Sequence, residues 1–149
     1  MAARLLPGTA VRVRRGRRRD LSGLRALLAG EAAARLERVH RRILADLRND
    51  VYVAEDRAGE IVGLVSIVYA RSLVRGGLSA MLDGVRARGA AVQPVLEGLV
   101  AFAEDRARRR GCRRLTAWVD GDDGALRAML LARGYRPGEL MVSELGGTA

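Results

Sequence analysis

The sequence predicts an α/β domain built on a mixed sheet, on three observations. Runs such as "VYVAED", "EIVGLVSIVYA" and "RRLTAWV" are rich in β-branched and aromatic residues and have the length of strands. Longer stretches repeat apolar residues at intervals of three and four, the mark of helices with one buried stripe. Turn residues separate the two kinds, so the order reads strand, helix, helix, three strands, helix, strand, helix, strand. With 149 residues and 49% hydrophobic side chains, the chain suits a single domain, 1–149, whose core spans about 11–145.

Each element has its own grounds. Val11-Arg12-Val13-Arg14 alternates as a half-buried strand, and "RRGRRRD" follows as a solvated turn. Asp20 is placed to cap a helix carrying Leu21, Leu24, Leu27 and Leu28, with Gly30 as its stop. A second helix aligns Leu36, Val39, Ile43, Leu44 and Leu47 and ends near Asn49-Asp50. Arg57-Ala58-Gly59 joins the next two strands as a hairpin, its glycine supplying a left-handed residue. Arg75-Gly76-Gly77 then turns into "LSAMLDGV", the third strand of a meander. From Pro94 onward Val95, Leu96, Leu99, Val100, Ala103 and Ala107 recur at helical intervals, and Gly111 closes that helix. Arg108, Arg109 and Arg110 in its last turn complement the negative end of the helix dipole. "RRLTAWV" reads as a buried strand with Trp118 in the core, "DGDDG" as a polar loop, and Ala125 to Arg133 as a short helix ended by Gly134. "YRPGELMVSEL" holds a final strand or two divided by Pro137-Gly138, before the small-residue tail "GGTA".

Composition excludes several functions. The formal charge is +10, yet all 27 basic residues are arginines spread over the whole chain, and Asn49 is the only asparagine. That pattern points to GC-rich codon usage rather than to a phosphate-binding face, and 3% aromatic residues are too few to stack bases. A nucleic-acid partner is therefore not expected, and an arginine-rich nucleic-acid module, motivated by "RVRRGRRR", ranks last among the functional readings. No window reaches the roughly 18 unbroken apolar residues of a membrane span. Cys112 stands alone, as in proteins of a reducing compartment, so a cytoplasmic location is expected. His40 is also alone, the carboxylates show no ligand spacing, and no metal is expected.

Two stretches and the order of elements carry a resemblance. "AEDRARRRGCRRLTAWVD" resembles the third helix and fifth strand of the GCN5-related N-acetyltransferase (GNAT) superfamily, and "ALRAMLLARGYRP" resembles its fourth helix, ending in a Gly-aromatic pair. The likeness spans Val11 to Leu145. It implies a single-domain fold with a mixed, mostly antiparallel sheet flanked by helices on both faces. It also implies acetyl-CoA as co-substrate, direct transfer of the acetyl group to an amine of a small molecule or peptide, and a homodimer as a common assembly.

The family's diphosphate loop reads Arg or Gln, two residues, Gly, one residue, then Gly or Ala. Glycines let successive N–H groups turn toward the diphosphate, and the following helix adds unpaired amides and the positive end of its dipole. Arg86-x-x-Gly89-x-Ala91 satisfies the letters but starts the helix near Ala90 and pushes Pro94 inside it. A register running from Arg88 and Gly89 through Ala90, Ala91 and Val92 to Gln93 instead puts Pro94 at the first helical position, and is preferred. It places Ala91 where the family has glycine and Gln93 where it has glycine or alanine, and requires the Gln93 side chain to lie away from the phosphates. By this resemblance the backbones of Met81, Leu82 and Asp83 hold the pantetheine arm and thioester, and those from Arg88 to Gln93 the diphosphate. The bland alternative is a plain strand-to-helix connector.

The family's usual acid, a tyrosine, falls on Leu130, which has no proton to donate, and its companion asparagine position falls on Asp123. Asp83, near the presumed thioester, is the candidate catalytic group. Glu55 reads as an ordinary polar strand end, Tyr52 and Tyr69 as core residues with hydrogen-bonded tips, His40 as a surface or half-packed side chain, and Cys112 as a small buried hydrophobe. The missing tyrosine and the sparse glycines keep a second reading open, a chain that retains the fold as a binding or partner protein.

Overall fold

The computed structural model describes residues 2–143 and 145, with their side chains apart from those of Glu31 and Ala32. The chain divides into two compact units, residues 1–118 and 119–149. No helix among the described residues is long and apolar enough to cross a membrane.

In the first unit six strands lie in chain order: β1 (Arg4–Leu5), β2 (Arg12–Arg15), β3 (Asn49–Glu55), β4 (Ile61–Ser72), β5 (Gly77–Ala87) and β6 (Arg114–Ala117). Neighbours run antiparallel except β5 and β6, which are parallel. Tight turns join β3 to β4 and β4 to β5, whereas parallel neighbours need a long crossover, here α3 (Val92–Arg109). Between β2 and β3 lie α1 (Leu21–Arg25) and α2 (Gly30–Ala45).

Alternation along β3 assigns each helix to a face. Val51 and Val53 share an apolar cluster with Leu24 of α1 and Leu36 of α2. Tyr52, between them, meets Phe102 of α3 edge-on, with ring centroids 4.7 Å apart. Thus α1 and α2 cover one face and α3 the other. The mixed, mostly antiparallel sheet and the helices on both faces are as the sequence predicts.

On the α3 face the helix approaches the sheet at Gly63. A methyl group there would stand 2.9 Å from Ala54 Cβ, 2.9 Å from Val95 Cγ1 and 3.0 Å from Leu99 Cδ1. Gly63→Ala is expected to cost about 1–3 kcal/mol of stability through overpacking, read as a lower denaturant midpoint at unchanged slope.

On the opposite face Arg14 is 8% exposed and anchors a buried ion-pair network. Its Nη1 and Nη2 donate to both oxygens of Asp20 at 2.9 and 2.8 Å, and its Nε donates to Glu55 Oε2 at 2.6 Å. The Arg17 N–H donates to Asp20 Oδ2 at 2.7 Å. Asp20 is therefore occupied and places no side-chain cap on α1, contrary to the sequence expectation. Gly30 does not stop the first helix but opens the second, with φ at +59°. The second helix ends at Ala45, and Asn49-Asp50 already belong to β3. Val39 and Leu47 are exposed, at 43% and 80%, while His40 is buried at 6%. Helical spacing defines a stripe but not its width, and here the stripe includes the histidine.

A short strand β1, unforeseen in the sequence, pairs with β2. The second unit contains α4 (Gly124–Ala132). Asp123 Oδ1 accepts the Leu126 N–H at 3.1 Å as its cap, and Gly134 follows its end with φ at +88°. The expected final strand is not formed by residues 135–143. Leu140, Met141 and Val142 are 65%, 97% and 60% exposed, so their apolar pattern buries no face. Pro137 also lacks the N–H a ladder needs. Glu144 and the tail 146–149 lie outside the described residues.

Candidate functional site

The site begins with an irregularity between β4 and β5. Ser66 stands opposite Gly84 and Ile67 opposite Leu82, so Asp83 is the extra residue of a bulge. Ser66 is paired with Val51 across β3, which puts it on the α1/α2 face. Its Oγ donates to Asp83 Oδ2 at 3.5 Å, so the exposed Asp83 carboxylate lies over that same face.

The second irregularity is on the other side of β5. The parallel ladder with β6 ends at Leu82 and Ala117, extended once by the Trp118 N–H donating to Leu82 O at 3.0 Å. Strand β5 runs on to Ala87. From Asp83 onward only β4 pairs with it among the described residues. Pairing between the two parallel neighbours thus ends at the bulge, and beyond it Val85 O accepts from Arg86 Nη1 at 2.9 Å.

Strand β5 leads into a turn at the start of α3. Gly89 has φ at +91°, the left-handed conformation that only glycine adopts without strain. The N–H groups of Gly89, Ala90 and Ala91 have no hydrogen-bond partner among the described residues. Ala91 is the N-cap, and its carbonyl receives the first helical bond, from Val95 N at 3.1 Å. The helix therefore starts at Val92, and Pro94 stands third rather than first. Amides in the first turn of any helix lack an intrahelical partner, so proline at the third position removes nothing. This start places Arg86-x-x-Gly89-x-Ala91 directly ahead of the helix, and the preference for Pro94 at the first position is corrected. The Gln93 side chain turns down the helix, its Nε2 donating to Glu97 Oε1 at 3.1 Å. Arg88 is anchored to β4: its N–H donates to Val62 O and its Nε to Ile61 O, both at 2.9 Å.

This architecture matches solved structures over nearly the whole chain. A transcriptional regulator from Bacillus halodurans C-125 superposes with a TM-score of 0.79 at 24% identity, covering 91% of this chain and 99% of that one. The aminoglycoside 6'-N-acetyltransferase AAC(6')-Ih from Acinetobacter baumannii gives 0.75 at 17% identity, with 93% and 99% covered. AAC(6')-Iy in complex with a bisubstrate analog of CoA gives 0.76 at 16% identity, with 94% and 100% covered. The fold is that of the GNAT acetyltransferases. No family model and no curated protein matches the sequence.

Within this GNAT fold the remaining sequence candidates fall into place. Leu130, at the tyrosine position, is buried on α4, and Asp123 serves as that helix's cap. Tyr52 and Tyr69 are buried as expected, and the Tyr69 hydroxyl donates to Asp50 Oδ2 at 2.9 Å. Burial and the Asp50 carboxylate push the Tyr69 hydroxyl well above its ordinary pKa. Glu55 is more than a strand end, being a partner of Arg14. Among the described residues His40 Nε2 has no hydrogen-bond partner, and burial lowers the His40 pKa against the pull of Asp20. Burial raises the Cys112 thiol, which leaves it a poor nucleophile. Trp118 is 42% exposed and not in the core. Among the described residues no three His, Cys, Asp or Glu gather as a metal site.

Sequence reasoning missed Asp50 and Ser66. Asp50 is 2% exposed and faces Arg15, Arg106 and Arg110 at 3.5–3.6 Å besides Tyr69. Arg110 also stacks over the Tyr69 ring at 4.0 Å, so it ties α3 to the sheet as well as ending a helix. Neither contact leaves a trace in local sequence.

Proposed function

We propose that the chain is an acyl-CoA-dependent N-acetyltransferase that passes an acetyl group from acetyl-CoA to an amine by direct attack. The observation that carries this reading is the end of pairing between β5 and β6 ahead of three amides at the start of α3 that have no partner among the described residues. An extended pantetheine arm suits β5 where its pairing with β6 ends, at Met81, Leu82 and Asp83, and a diphosphate suits the amides from Gly89 through Ala90, Ala91 and Val92 to Gln93. Arg88 contributes by pinning this loop to β4. The aminoglycoside acetyltransferases among its structural neighbours support a small-molecule amine as acceptor.

The Asp83 carboxylate takes a proton from the incoming ammonium. The freed nitrogen pair attacks the thioester carbon and forms a tetrahedral oxyanion. Its collapse breaks the C–S bond; the nitrogen gives up its second proton to water, the thiolate takes one from water because the position of the family's usual acid carries leucine, and Asp83 returns the first proton to solvent. The products are the N-acetyl amine and free CoA.

Calorimetric titration with acetyl-CoA tests the cofactor site, and thiol release across a panel of amines tests turnover. Saturable binding with amine-dependent release is expected; no binding at millimolar acetyl-CoA would overturn the reading. Asp83→Asn is expected to lower kcat by about 10²–10⁴-fold with acetyl-CoA affinity unchanged. Leu130 favours one second reading, a GNAT fold kept for ligand or partner binding, and binding without any thiol release would decide for it.

A further inference from the structure

Among the described residues the Trp118 indole makes no hydrogen bond, aromatic pair or cation–π contact. Trp118 follows the last residue of β6, is 42% exposed, and holds position through its backbone N–H to Leu82 O. Register fixes its face. Ser66 and Val68 lie on the α1/α2 side of β4; Val68 pairs with Met81, and Met81 with Thr116 of β6. Trp118, two residues beyond Thr116, shares that face. Asp83 lies over the same face, as its contact with Ser66 shows, and directly follows Leu82, to which Trp118 is bonded. Neighbouring strands stand about 4.8 Å apart, so one small group can touch both the indole and the carboxylate where the pairing ends.

We infer that Trp118 and Asp83 together receive the acceptor amine as its ammonium ion, which makes Trp118 a specificity-determining residue and cationic amines the substrate class. The inference rests on the acetyltransferase reading above. An ammonium over an indole face gains about two- to thirtyfold in binding from the ring's negative centre, and a neutral group of the same shape does not. Asp83 supplies the counter-charge and then accepts the proton, so the pair selects the substrate in the form that the base can activate. A chain carrying +10 overall repels cations at long range, so a cationic acceptor needs such a local site.

Trp118 is the only tryptophan, so its emission reports this position directly. The full chain without acetyl-CoA is titrated with n-butylammonium and, separately, with the neutral isostere n-butanol. A saturable change with the cation, absent with the alcohol and about tenfold weaker in Asp83→Asn, is expected. No response to the cation, or an equal response to both, would overturn the inference. In turnover, Trp118→Leu is expected to raise KM for cationic amines about tenfold with little change in kcat, and Trp118→Phe to lie between. An unmoved KM in Trp118→Leu, with acetyl-CoA binding and turnover intact, would sink the inference while leaving the transferase reading standing. Failure to bind acetyl-CoA would overturn that reading, and the emission titration would still decide whether the amine site exists.

Discussion

Ala91→Glu is expected to raise the dissociation constant for acetyl-CoA about a hundredfold while leaving the fold as stable as before or slightly more so. Ala91 is the N-cap of α3, with φ at −110°, a conformation that a glutamate adopts without strain. A carboxylate there faces the positive end of the helix dipole, which favours the fold by about 0.3–1 kcal/mol. The same carboxylate would occupy the place proposed for the diphosphate. Repulsion between two like charges several ångströms apart in a partly screened site is worth about 2–4 kcal/mol, which sets the hundredfold figure. The opposite signs separate a damaged fold from a blocked site. Calorimetry and thermal melting of the same preparation check both, and unchanged affinity would move the diphosphate away from this loop.

Arg14→Met should destabilise the protein by about 3–5 kcal/mol and lower its melting temperature by on the order of ten degrees. The arginine side chain is 10% exposed and that of Asp20 only 4%, so removing the cation strands a carboxylate with little water to receive it. The methionine preserves the volume and isolates the electrostatic loss. Adding Asp20→Asn should recover part of that loss, because the stranded charge is gone; a lack of recovery would show that packing, not charge, made Arg14 valuable.

The same network sets the acid response. Burial disfavours the Asp20 carboxylate, but the bonds from Arg14 and the Arg17 N–H overcome this and hold its pKa below the usual value. His40, lowered by burial, also binds its proton less readily folded than unfolded. For both groups the unfolded chain takes up more protons, so stability falls as pH falls. The decline should begin below about pH 6.5, where unfolded histidine protonates, and steepen below about pH 4 with Asp20. Thermal melts across pH check this, and stability that rises on acidification would contradict it.

The sheet and long helix were legible because their signals are periodic and redundant. β4 and β5 are long apolar runs between glycine turns, and six apolar positions of α3 share one stripe. Single-residue signals were ambiguous. Pro94 fits the first or third helical position equally, so it could not fix the start of α3, and Gly30 opens a helix as well as it ends one. The features that matter most for the site arise between strands. The bulge at Asp83 exists only in the ladder with β4, and the exposure of Trp118 follows from where β6 stops beside β5. Likewise Asp50 gains its meaning from arginines far along the chain, which no local window contains.

The meander of β3, β4 and β5 has a consequence for how the molecule assembles. Its strands are joined by tight turns, so their pairing closes short loops at small entropic cost. Strand β6 can join only after α3 has crossed the sheet, a closure of far longer reach. The connections therefore favour early pairing of the two hairpins and late completion of the edge at β6, an order that amide-exchange labelling during refolding checks.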